Sequence, residues 1–363
     1  MAESYTCAIS VFLGSRMALG LYVGPFRLEL KMNEREKKME LALVIFLFIV
    51  GIVFIVKGGD YFVDAASWIA EVSGIPKLII GATIVSLATT LPEMLVSVMA
   101  AAQGKVDMAI GNAVGSVTAN IGLIMAISIL CMPGAARRKD YLRKSVLMLL
   151  AALIVVVSGF MGQMGIAIAL VMIVIFAVFM TDNVLEAKRS MSATRTDSTR
   201  AVERPRPERK EIIVNLIKFA VGTVGIVWGA DLLVDNGSEL ARFIGISERI
   251  IGVTVIAVGT SLPELITTIT AIVKKESSLS VGNILGANII DLTLILPISA
   301  LVSGKALPIA PTSAMLDLPA CLLVGGVAII PTIFTQKFSR VQGVLLLGIY
   351  IVYVGMTCMA VGM

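Results

Sequence analysis

Histidine is absent from the 363 residues, and charged residues make up only 15% of them. Without imidazole the chain lacks the commonest proton shuttle and the commonest transition-metal ligand. There are four cysteines, Cys7, Cys131, Cys321 and Cys358, and their spacing suits neither a disulfide framework nor a zinc site. No ATP-binding motif appears. So little charge excludes an ordinary soluble domain. What is present is apolar: 57% of residues are hydrophobic, and the mean hydropathy is +0.95.

The apolar residues are gathered in runs, and a run of about 20 residues crosses a bilayer. Ten spans are expected, near residues 41–57, 78–102, 108–131, 145–160, 164–181, 212–233, 250–273, 281–302, 314–334 and 341–362. The fold class is therefore an all-α polytopic membrane protein, with the lipid bilayer as its surroundings. The hairpin around Gly162 is the weakest of these divisions.

The net charge of +5 is explained by topology and gives no reason to expect nucleic acid. Arg137, Arg138, Lys139, Arg143 and Lys144 fall between the third and fourth spans, and Lys188 to Lys210 between the fifth and sixth. Lys274 and Lys275 follow the seventh, while Lys337 and Arg340 precede the tenth. Short basic loops stay cytoplasmic, so both ends of the ten-span core lie on the far side. Residues 182–211, with Pro205, Pro207 and mixed charges, read as a cytoplasmic linker between a first repeat, 41–181, and a second, 212–363. Residues 1–40 read as an N-terminal extension, either a targeting segment or an over-long start with Met32 or Met39 as initiator. The plasma membrane is the expected location, and no obligatory protein partner is evident.

The two halves carry the same phrases. Ala88-Thr89-Thr90-Leu91-Pro92-Glu93 returns as Gly259-Thr260-Ser261-Leu262-Pro263-Glu264, and Gly111-Asn112-Ala113-Val114-Gly115 as Gly282-Asn283-Ile284-Leu285-Gly286. By subtraction of residue numbers, both pairs are offset by 171. The match runs without a gap from about Gly58 to about Ile124 and their counterparts. An odd number of spans per half makes the second half enter the membrane from the opposite side. That is an inverted repeat, the architecture that places substrate sites at the midplane between halves.

An acid inside an apolar span is costly and marks a functional site by default. Thr89 and Glu93 are four apart and share a helix face, as does Ser86; Thr260, Glu264 and Ala257 repeat this geometry. Pro92 cannot donate to the carbonyl of residue 88, so the helix kinks or opens there, and Pro263 acts likewise beside Gly259. The following span supplies Asn112, Ser116 and Asn120 at intervals of four, matched by Asn283, Ala287 and Asp291. Together these stripes assemble Glu93, Glu264 and Asp291 among amide and hydroxyl oxygens, with no Lys or Arg in the same segments. Oxygen-only surroundings suit Ca²⁺. For Asn112 and Asn283 themselves, helix packing is favoured over ligation.

Thr-Thr-Leu-Pro-Glu and Thr-Ser-Leu-Pro-Glu, with Gly-Asn-x-x-Gly-Ser and Gly-Asn-x-x-Gly-Ala, resemble the two α-repeats of the cation/calcium antiporter superfamily, and most nearly its prokaryotic sodium/calcium exchangers. The resemblance implies Glu93 and Glu264 as central Ca²⁺ ligands. It implies hydroxyl or backbone oxygens from Thr89, Thr90, Thr260 and Ser261, and backbone carbonyls from Ser86 and Ala257. Ser116, Asn120 and Asp291 complete the implied set. Ala287 stands where the family usually has serine, which bears on Na⁺ stoichiometry or affinity.

The expected function is secondary active exchange of Ca²⁺ for Na⁺ by a transporter rather than an enzyme, with no cofactor and with Ca²⁺ and Na⁺ as substrates. If only loaded states rearrange, the two ions alternate, which is antiport. H⁺/Ca²⁺ exchange, K⁺-dependent Na⁺/Ca²⁺ exchange and a passive cation channel are the alternatives. Proton-coupled relatives typically place an acid soon after the Gly-Asn phrase, where this chain has Ser116 or Ala287.

Overall fold

The computed structural model describes residues 34–133, 138–196, 207–245, 259, 261–304 and 306–360. The chain divides into two compact units, Met1–Ala42 and Leu43–Met363. The described part of the first is the start of one helix, and every other described element belongs to the second.

Helices follow the apolar runs: α1 Glu34–Ser73, α2 Lys77–Thr89, α3 Leu91–Ala102 and α4 Val106–Cys131. Then come α5 Arg138–Phe160, α6 Ile166–Thr196, α7 Arg209–Phe243 and α8 Leu262–Val273. The chain continues through α9 Ser277–Ser303, α10 Ser313–Thr335 and α11 Arg340–Ala360. Among the described residues eight helices are long and apolar enough to span alone, and α2 with α3, bent by 48°, makes a ninth when the pair is counted as one span. The bend falls just before Pro92, as the missing N–H requires. α8 occupies the end of the seventh expected span, and residues 246–258 and 260 lie outside the described residues.

Two expectations are corrected. The first and sixth spans run well past residues 57 and 233, to Ser73 and Phe243. The stretch read as linker from residue 182 is helical as far as Thr196. Its charges are held against α5, Asp182 by Arg143 at 2.6 Å and Glu186 by the buried Lys144 at 2.7 Å. A polar run without apolar periodicity is here paired back to the preceding helix. The weak division at Gly162 does hold. Gly162 sits at φ +76°, and the short strands β1 Gln163–Met164 and β2 Leu307–Pro308 pair antiparallel beside it.

The halves repeat in backbone detail. Gly74 and Gly245, offset by 171, end α1 and α7 at φ +72° and +82°. Thr90 and Ser261 take nearly the same conformation, φ −86°, ψ −3° and φ −92°, ψ 9°. A π-helical turn begins at Asn120 and another at Asp291. Such turns recur at functional sites because they re-aim side chains within a helix.

α4 and α9 form the centre and are mostly buried, whereas α1 and α7 bury little of their surface. Val114, Val117, Ile121, Ile284, Leu285 and Met148 pack together there. α2 crosses α9 with its backbone in contact: a Cβ on Gly282 would collide with the Leu78 carbonyl, and one on Gly81 with the Leu279 carbonyl. Small residues permit this approach where lipid offers no hydrophobic drive for helix association. Gly282→Val is therefore expected to abolish the folded, monodisperse peak in detergent size-exclusion chromatography. Gly348→Ala, which meets open space, is expected to preserve it.

Candidate ion-binding site

The break between α2 and α3 puts Glu93 in the first turn of α3, directly after Leu91 and Pro92. Glu264 occupies the same position in α8 after Leu262 and Pro263. Both are 1% exposed, as is Asp291. The halves interleave: α3 lies against the turn from Asp291 to Ile295, and α8 against the turn from Asn120 to Met125. Each glutamate is thus carried to the polar stripe of the other repeat.

The Thr90 hydroxyl donates to Glu264 Oε1 at 3.3 Å, and Thr89 and the Glu93 carboxyl also adjoin Glu264. Asp291 lies near enough to both glutamates to interact with their charge. When ionised, these groups only accept hydrogen bonds. Among the described residues, both Glu93 oxygens, Glu264 Oε2 and both Asp291 oxygens are buried without a hydrogen-bond donor, together with Ser116 Oγ, Asn120 Oδ1 and Ser261 Oγ. None of the ion pairs among the described residues reaches the three acids. Buried carboxylates without counter-charge cost on the order of several kcal/mol each, and a bound cation offsets that cost.

The three carboxylates do not converge on one point. Among the described residues no three acidic, histidine or cysteine side chains meet closely enough to hold a single metal ion. An ion between Glu93 and Glu264 would take its remaining oxygens from hydroxyls, amides and backbone, with Asp291 at an adjoining position. Ser86 is already engaged. Its carbonyl accepts from the Thr90 N–H at 2.9 Å and the Thr89 hydroxyl at 3.4 Å, and its hydroxyl donates to the Thr83 carbonyl. Thr260 and Ala257 lie outside the described residues. Ala287, fully buried, leaves the second copy without the hydroxyl that Ser116 gives the first.

Asn112 and Asn283 hold the glutamates' backbones. Asn112 donates to the Glu93 carbonyl at 3.2 Å and to Ser97 Oγ at 2.9 Å. Asn283 donates to Thr267 Oγ1 at 3.0 Å, and Thr267 in turn to the Glu264 carbonyl at 3.0 Å. Sequence reasoning missed Ser97, Thr267 and Asn288. The first two lie one helical turn beyond each glutamate, a spacing that could have flagged them; Asn288 lies off the four-residue stripe.

The sodium/calcium exchanger protein family matches residues 43–183 and 214–359. The chain belongs to this family. Cation/Ca²⁺ antiport by an integral membrane protein follows from that membership. The chain is 34% identical to the inner membrane protein YrbG of Escherichia coli, over 85% of this chain and 95% of that one. It is 30% identical to the sodium/calcium exchanger MaX1 of Methanosarcina acetivorans, over 85% and 96%. Its fold superposes on the sodium-calcium exchanger NCX_Mj, in crystals soaked with 2.5 mM Na⁺ and 10 mM Sr²⁺, with a TM-score of 0.70 at 26% identity, covering 87% of this chain and 99% of that one.

Asn112→Leu removes a brace rather than an ion ligand. It is expected to lower stability by about 0.5–2 kcal/mol while leaving the Ca²⁺ concentration for half-maximal exchange nearly unchanged. Unfolding in detergent and ⁴⁵Ca²⁺ uptake in vesicles measure the two effects.

Proposed function

We propose that this chain exchanges Ca²⁺ for Na⁺ across the plasma membrane by alternating access, at one midplane site shared by its two halves. The observation that carries this reading is the pair Glu93 and Glu264. They are brought together from opposite repeats, buried, surrounded by oxygen and, among the described residues, in no ion pair with a cationic side chain. Carboxylate and hydroxyl oxygens are hard ligands suited to Ca²⁺ and Na⁺. Thr89, Thr90, Thr260, Ser261, Ser116, Asn120 and Asp291, with backbone from Ser86 and Ala257, are the proposed further ligands.

Coupling follows from charge. An empty site holds uncompensated carboxylates at membrane depth and resists closure. One Ca²⁺ or several Na⁺ neutralise it, so only loaded states cross between the two faces. The parts suited to move are α1 and α7. They bury little of their surface and meet backbone to backbone, Gly58 against Gly222 and Gly51 against Gly229. Such a contact has few interlocking side chains to disengage when one helix slides along the other. The basic loops set the linker between α6 and α7 in the cytoplasm.

Purified protein in vesicles is expected to accumulate ⁴⁵Ca²⁺ only when Na⁺ is loaded on the opposite side. Uptake driven equally well by a pH gradient with no Na⁺ present would replace Na⁺ with H⁺ as the counter-ion. Uptake that needs no counter-ion would indicate a channel.

A further inference from the structure

Asn120 differs from Asp291, its counterpart in the repeat, in one chemical respect. A carboxylate offers a cation two equivalent oxygens, whereas an amide offers an oxygen at one end and two N–H donors at the other. An amide that faces a cation site must be held the right way round. Asn120 donates from Nδ2 to Asn288 Oδ1 at 3.1 Å, and its own Oδ1 is left buried without a donor. Asn288 is 0% exposed, and its Nδ2 faces Met148 Sδ at 3.7 Å.

The thioether fixes the direction of this relay. Sulfur in methionine can accept a weak hydrogen bond but has no proton to give, so the NH₂ end of Asn288 belongs against Met148. Its oxygen then faces Asn120, whose NH₂ is drawn outward and whose oxygen is turned to the site. Reversing both amides would set Asn288 Oδ1 against a group that cannot donate and present N–H donors to the ion. The repeat maps Asn288 onto Val117, 1% exposed, and Asn120 onto Asp291. The half with the symmetric carboxylate has no orienting amide at that place.

We propose that Asn288 is a positioning residue that fixes the polarity of Asn120, so that Asn120 binds the transported cation through Oδ1. This rests on the site lying where the preceding reading puts it.

The test is equilibrium binding of ⁴⁵Ca²⁺ and of ²²Na⁺ to folded, detergent-solubilised protein, which requires no turnover. Asn288→Leu is expected to weaken at least one ion about tenfold, the equivalent of one lost ligand interaction. In an Asn120→Asp background, where both oxygens are equivalent, the same substitution is expected to cost almost nothing. Equal losses in both backgrounds would mean general structural damage and overturn the proposal, as would no loss in either. Loss of all binding in Asn120→Asp alone would also overturn it, by removing the carbonyl-ligand role. If Asn288→Leu does not fold, Asn288→Asp carries the test, because it keeps the acceptor oxygen. That variant is expected to retain binding, and folded protein that has lost it would contradict the proposal. Failure of the site reading itself is distinguishable, since the unaltered protein would then bind neither ion.

Discussion

The structure depends on a shortage of hydrogen-bond donors around Glu93 and Glu264. Their carboxylates lie within apolar helices, 1% exposed, and among the described residues both Glu93 oxygens and Glu264 Oε2 meet no hydrogen-bond donor. Hydrocarbon solvates such charge so poorly that an intramembrane acid needs a partner. The donors nearby are hydroxyls, and one of them, Thr90, reaches only one Glu264 oxygen. On the proposed reading, the missing charge is that of the transported cation.

Much of the rest serves to keep that arrangement in place. Pro92 bends the first acidic span by ending its hydrogen bonding, so that a helix starts at the glutamate. Asn112, directly, and Asn283, through Thr267, grip the two glutamate carbonyls. Gly81 and Gly282 let α2 and α9 meet closely enough for the two repeats to interleave. Basic residues pair with acids other than these glutamates, as Lys144 with Glu186 and Lys274 with Asp64 illustrate. A lysine at the site would remove the need for a transported cation.

The sequence made the spans, the repeat and the acids legible because each has a local signature. Long apolar runs, a constant offset of 171 and Pro-Glu within apolar segments need no tertiary knowledge. What it left hidden is relational. The helix continues to Thr196, and Arg143 and Lys144 reach across from α5 to its Asp182 and Glu186. Asn288 gains its meaning only from a neighbour on another helix and a methionine on a third.

The central claim is that the two repeats build one site between them, and Ca²⁺ binding stoichiometry in the single variants Glu93→Gln and Glu264→Gln tests it most directly. The account predicts that the unaltered protein binds a single high-affinity Ca²⁺, displaced by Na⁺, and that either substitution alone removes it completely. Two Ca²⁺ per chain, with each substitution removing only one, would mean that each repeat holds its own ion and would contradict the account.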